Sequence, residues 1–134
     1  MTVYSAVVSE TVEAGFADLA QAAGHLPGQE VKQDRTSLTV HGPLDPGLAG
    51  AIRFSGTLRT SSPLLPSVKV EVVVSPWSAG RSEVAIHPLT HLGDLESFRA
   101  RRFFNAARSI LPLVIDRLSA ELPVETPVPL GLAA

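Results

Sequence analysis

The densest group of reactive side chains is His87-Pro88-Leu89-Thr90-His91-Leu92-Gly93-Asp94. Two imidazoles four residues apart share a face when the segment is helical, which is how metal sites gather a histidine pair. Pro88 and the alternating pattern before it predict extended chain instead, so the rings need not converge. The segment then reads as a strand exit followed by a helix cap at Asp94. No metal ligand, cofactor or catalytic residue is assigned to it.

Arg99, Arg101, Arg102 and Arg108 put positive charge early in the last long segment. One reading is a mouth that holds a carboxylate or phosphate, which the planar guanidinium grips with paired hydrogen bonds. The other is a solvated helix face. Arg102 lies nearest the apolar stripe of that segment and is the member to test first. Tyr4, Ser5 and Ser9 carry hydroxyls that suit a small-molecule pocket, although an alternating strand places such groups on both faces. His25 and His41 fall in a loop and on a polar strand face, which is poor placement for a general base. The polar set around the Trp77 hairpin (Glu71, Arg81, Glu83, His87) poses the same choice between chemistry and water.

Composition narrows the classes. The 134 residues suit one domain with a real core, and 45% hydrophobic against 18% charged residues points to a globular chain. A formal charge of −2 gives no field to recruit nucleic acid, and the strand faces lack the interleaved aromatics on which bases stack. The absence of Cys removes disulfides, Cys–Zn sites and thiol catalysis together. No apolar run approaches the ~20 residues that span a bilayer, and the first residues lack a signal-peptide pattern. A cytoplasmic protein without membrane insertion is expected. The excess of Arg over Lys, with abundant Ala, Gly and Pro, fits a GC-rich bacterial coding bias.

These residues need elements to position them. Thr2 to Ser9 is rich in β-branched types and predicts a strand. Thr11 is placed to cap a helix whose stripe is Val12, Phe16, Leu19, Ala20 and Ala23, ending at Gly24. From Gln29 to Leu89 the period is two. It predicts a polar edge strand over Gln29 to Asp34, then strands around Leu38 and Val40 and from Ile52 to Arg59. Next comes a hairpin from Val70 to Leu89. Taking Trp77 to Arg81 as its loop pairs Val74 with Val84, Val72 with Ile86 and Val70 with Pro88 on one face. Glu71 opposes His87 on the other, an ordinary surface pair. Trp77 then caps the core or covers a pocket mouth. A final helix from about Leu95 to Leu122 carries the stripe Leu95, Phe98, Phe103, Ala106, Ala107, Ile110, Val114, Leu118 and Leu122. Pro112 removes an amide inside it, which predicts a kink or break. Residues 1–122 read as one domain and 123–134 as a Pro-rich flexible tail.

In element order this resembles the START-like superfamily, also called SRPBCC or Bet v 1-like, with its helix-grip fold. The resemblance is carried by the leading strand VYSAVV, the helix VEAGFADLAQ, the hairpin VKVEVVVSPWSAGRSEVAI and the closing helix FRARRFFNAARSILPLVIDRL. It implies an α+β domain in which a curved antiparallel β-sheet packs on a long C-terminal α-helix and encloses an apolar cavity. Known members bind lipids, sterols and hormones, cyclise or aromatise polyketides, or serve ring hydroxylases. The iron ligands of the oxygenases are absent here, and no cyclase motif is matched. The resemblance therefore implies a cavity and no catalytic residue.

The residues expected to line that cavity are Phe54, Leu58, Val72, Val74, Val84, Ile86, Phe103, Ile110 and Val114, with Arg102 at its mouth. The same side chains would equally fill a solid core. The function expected is non-catalytic binding of a small apolar or amphipathic ligand. Two alternatives are a polyketide cyclase- or hydrolase-type enzyme and an interaction module that pairs through an edge strand or its arginines. A homodimer is compatible with all three.

Overall fold

The structure, a computed structural model, describes residues 8–45, 50–63, 66–89 and 98–122. Alternation in the sequence becomes six strands: β1 (Val8–Val12), β2 (Glu30–Gln33), β3 (Thr36–Pro43), β4 (Ile52–Arg59), β5 (Ser67–Ser78) and β6 (Arg81–Pro88). Helix α1 (Phe16–Ala23) follows β1, and helix α2 (Phe98–Ala120) closes the order. The strands form one sheet in the order β1-β6-β5-β4-β3-β2, with every pair antiparallel. The sheet curls as a half-barrel against α2, as in helix-grip folds. Helix α2 touches both edge strands, β1 and β2, and α1 packs beside it on β5 and β6. Its 23 residues span roughly 35 Å, more than the roughly 24 Å across five strand spacings. One helix therefore crosses the whole sheet.

Local devices set the curl. The β2–β3 turn is Asp34-Arg35, with Asp34 at φ 53°, a conformation that Asp tolerates better than most residues. Ala79-Gly80 joins β5 to β6, with Gly80 at φ 75°. Register shifts fall between Val40 and Pro43 in β3 and between Pro76 and Ser78 in β5, where extra residues bend a strand. Gly56 lies on the inner face of β4. A Cβ there would stand 3.0 Å from the Thr39 carbonyl oxygen and 3.3 Å from Leu38 Cδ1, so the close approach of β3 requires glycine.

The hairpin pairs as the alternation predicts: Val74 with Val84, Val72 with Ile86, Val70 with Pro88 and Glu71 with His87. The departures lie at element ends. Thr11 and Val12 belong to β1, not to the first helix, because they pair with Glu83 and Ser82 of β6. The chain then turns at Ala14, whose carbonyl accepts the buried Ser82 hydroxyl at 2.8 Å. Helix α1 starts from Gly15 without a side-chain cap. It ends before Gly24, whose φ is −60°, and the left-handed conformation falls at Gly28 instead. Trp77 is not in the loop. It is the extra residue of the β5 bulge and is 60% exposed, so it covers neither core nor pocket.

Helix α2 is unbroken at Pro112, whose ring lies on the exposed side. Phe98, expected in the apolar stripe, is also exposed. It lies five residues before Phe103 and so points some 140° away from the sheet-facing stripe, given 3.6 residues per turn. Tyr4, Ser5, His91, Asp94, Leu95 and the 123–134 tail lie outside the described residues. No helix among those described is long and apolar enough to cross a membrane.

Candidate functional site

Three regions hold the sequence candidates, and each is built differently. The first is the interior. Leu58, Val72, Val74, Val84, Ile86, Phe103, Ile110 and Val114 have no accessible surface, and Phe54 retains 6%. They belong to one cluster with Leu19, Leu38, Val40, Leu111 and Leu118. Strand alternation aims the inner residues at α2, and the 3.6-residue period aims Phe103, Ile110 and Val114 back at them. Nine of the ten residues expected to line a cavity thus meet between sheet and helix, closed to water. No buried side-chain polar atom among the described residues lacks a partner.

The second region is the outer sheet face. Arg53 Nε donates to Glu71 Oε2 at 2.8 Å, and its Nη2 donates to the same oxygen. Nη1 donates to the Asp45 carbonyl at 3.3 Å. His87 Nδ1 stands 3.9 Å from Glu71 Oε1. The triple crosses β4, β5 and β6, and the Glu71 side chain is only 12% exposed. His41 Nε2 and Thr57 Oγ1 share a hydrogen bond of 2.7 Å on the same face. The alternation predicts the Glu71–His87 pairing but does not reveal Arg53. Arg53 opposes Val73, so it reaches Glu71 along a cross-strand diagonal. That relation is visible only once the register of β4 on β5 is known. Arg81 pairs with Glu13 at 3.1 Å and His25 stands 3.9 Å from Glu121, both exposed surface contacts.

The third region is the seam where the turn end of the sheet meets the first half of α2. A pocket of about 200 Å³ opens there, lined by Thr36, Thr60, Ser61, Ser62, Arg102, Asn105, Ala106 and Ser109. The four α2 residues recur at i, i+3, i+4 and i+7, one stripe beside the apolar stripe. Ala106 belongs to both, since it lines the pocket and is also part of the core cluster. Thr36 arrives from the β2–β3 turn, and Thr60 to Ser62 from the end of β4. The Thr60 hydroxyl accepts the Ser62 amide at 3.1 Å, folding that segment into a local turn. The Ser109 hydroxyl donates to the Ala106 carbonyl at 2.9 Å. Arg102 makes no hydrogen bond or ion pair with any described residue. Of the arginines singled out in the sequence only Arg102 lines this pocket; Arg99, Arg101 and Arg108 are exposed elsewhere on α2. Asn105 and Ser109 share the helical spacing of Arg102 and were discoverable from it, whereas Thr36 and Thr60 to Ser62 carry no pattern that announces the pocket.

No protein-family model and no curated protein matches this chain. Its function has to be argued from the three regions themselves. Among the described residues no three of His, Asp and Glu gather as a metal site would.

Proposed function

We propose that this domain binds a small amphipathic molecule at the seam between the curled sheet and α2, without converting it chemically. The observation that carries the reading is the pocket beside the core: a mostly polar lining that shares Ala106 with the apolar cluster between sheet and helix. At about 200 Å³ it lies below the 300–1,000 Å³ typical of complete ligand sites. It holds one end of a molecule, and the remainder lies along the Phe103–Ile110–Val114 stripe as α2 yields from the sheet. The START-like resemblance points the same way, since that superfamily encloses ligands between such a sheet and helix. An enzyme would need a titratable group within the compartment. Among the described residues, His87 and Glu71 stand on the outer face, and neither acid nor histidine lines the pocket.

A bound ligand raises stability in proportion to ln(1 + [L]/Kd). A panel of fatty acids, alkyl phosphates, alcohols and aromatic acids should therefore contain members that raise Tm progressively with concentration. Amide resonances of Val72, Val84, Phe103 and Ile110, with the methyl resonances of the Val and Ile residues, should shift with them. A panel without any stabilising member, or shifts confined to the outer-face residues, would sink the proposal.

A further inference from the structure

The pocket lining has a chemistry of its own, and it is one-sided. Among the described residues it contains one cation, Arg102, one carboxamide, Asn105, the hydroxyl residues Thr36, Thr60, Ser61, Ser62 and Ser109, and no carboxylate. The Thr60 hydroxyl accepts the Ser62 amide, and that of Ser109 donates to the Ala106 carbonyl. Arg102 has no such partner among the described residues. An unpaired guanidinium beside amide and hydroxyl donors, with no neighbouring acid in the lining, is complementary to an oxyanion. Charge-assisted hydrogen bonds to carboxylate or phosphate are roughly twice as strong as neutral ones. Volume agrees with this reading. At ~30 Å³ per liquid water, the space equals some six or seven waters, enough for a carboxylate or phosphate and the first carbons after it.

Arg35 and Arg59 directly precede Thr36 and Thr60 in the chain, and Asp34 is the acid of the same β2–β3 turn. The carboxylate of Glu71 lies on the outer face, where it is engaged by Arg53. Ala106 belongs both to the pocket lining and to the apolar core cluster.

We infer that the pocket is an oxyanion site in which Arg102 and Asn105 hold the carboxylate or phosphate head of an amphipathic ligand, with its alkyl part directed past Ala106. This rests on the binding function proposed above and adds the chemical class of the ligand.

The test titrates the whole chain with octanoate, octyl phosphate and 1-octanol below their aggregation concentrations. The wild type is compared with Arg102→Gln, Arg102→Lys and Arg101→Gln. An anionic head should bind about tenfold or more tighter than the alcohol, in line with a charge-assisted contact. Arg102→Gln should erase that preference by weakening the two anions about tenfold or more relative to 1-octanol. Arg102→Lys should retain part of it, because a point charge replaces the planar fork. Arg101→Gln removes the same charge outside the pocket lining and should leave the preference intact. The better of the two anions identifies carboxylate or phosphate as the preferred head. If 1-octanol binds as tightly as the anions, or Arg101→Gln acts like Arg102→Gln, the oxyanion site is overturned while amphipath binding stands. If none of the three probes binds, both fall.

Discussion

Arg53 and Arg102 are the same side chain in two settings. Arg53 lies half-buried on the outer sheet face and is held by Glu71 and the Asp45 carbonyl. Arg102 lines an open pocket at the helix–sheet seam without a partner among the described residues. The first has its electrostatic work done within the fold, and a ligand could use it only by displacing Glu71. The second has its donors free for a visitor. The pairing of a polar group, more than its type, marks where a site lies. By that criterion the conspicuous Glu71–His87 cluster is accounted for within the fold, and the plain-looking seam is the candidate site.

The contrast presumes a closed core between the two settings, and Phe103→Ala probes it with the largest effect. Loss of a fully buried Phe should cost about 3–5 kcal/mol, measured by urea denaturation. A cost under about 1 kcal/mol would mean that the interior already holds empty space and that pocket and core are one compartment. Next comes Glu71→Ala, which strips Arg53 of its carboxylate. Removing a mostly buried acceptor of charged hydrogen bonds should cost about 1.5–3 kcal/mol. A negligible cost would erase the distinction between the two arginines. Ser82→Ala probes an uncharged buried contact, the hydroxyl on Ala14 that fixes the turn into α1. It should cost about 1–3 kcal/mol, with slower amide exchange lost first around Ala14 to Leu19. Smallest of all, Arg102→Gln should change stability by less than about 0.5 kcal/mol. A loss as large as that of Glu71→Ala would show that Arg102 is structural after all.

Much of the frame was legible in the chain. Alternation over Val70 to Val74 and Val84 to Ile86 pointed to the face that meets α2, because a one-residue slip would turn those side chains outward. The α2 stripe was equally plain from Phe103 to Leu118. Ends were harder to read. Thr11 has the chemistry of a helix cap, yet its pairing with Glu83, far along the chain, keeps it in β1. Trp77 looked like a loop residue because a bulge leaves no mark in an alternating pattern. Of the candidate site, sequence reached Arg102 through its closeness to the apolar stripe and stopped there. Thr36 and Ser61 join it only through the meeting of two turns with α2, a tertiary event without a local signature.

The sheet order has a consequence for how the chain is made. β1 is synthesised first among the described strands, but its hydrogen-bonding partner is β6, and the Ser82 hydroxyl finds Ala14 across 68 residues. Strands β2 to β5, by contrast, pair with sequence neighbours. At a translation rate of about 5–20 residues per second, β1 waits some 3–14 s for β6. Helix α2 emerges later still, so the valine face of β5 and β6 stays uncovered by it until Phe98–Ala120 has been made. The nascent chain thus presents an unpaired strand and an open apolar sheet together. Exposed apolar surface and an unpaired strand make that the interval most open to aggregation.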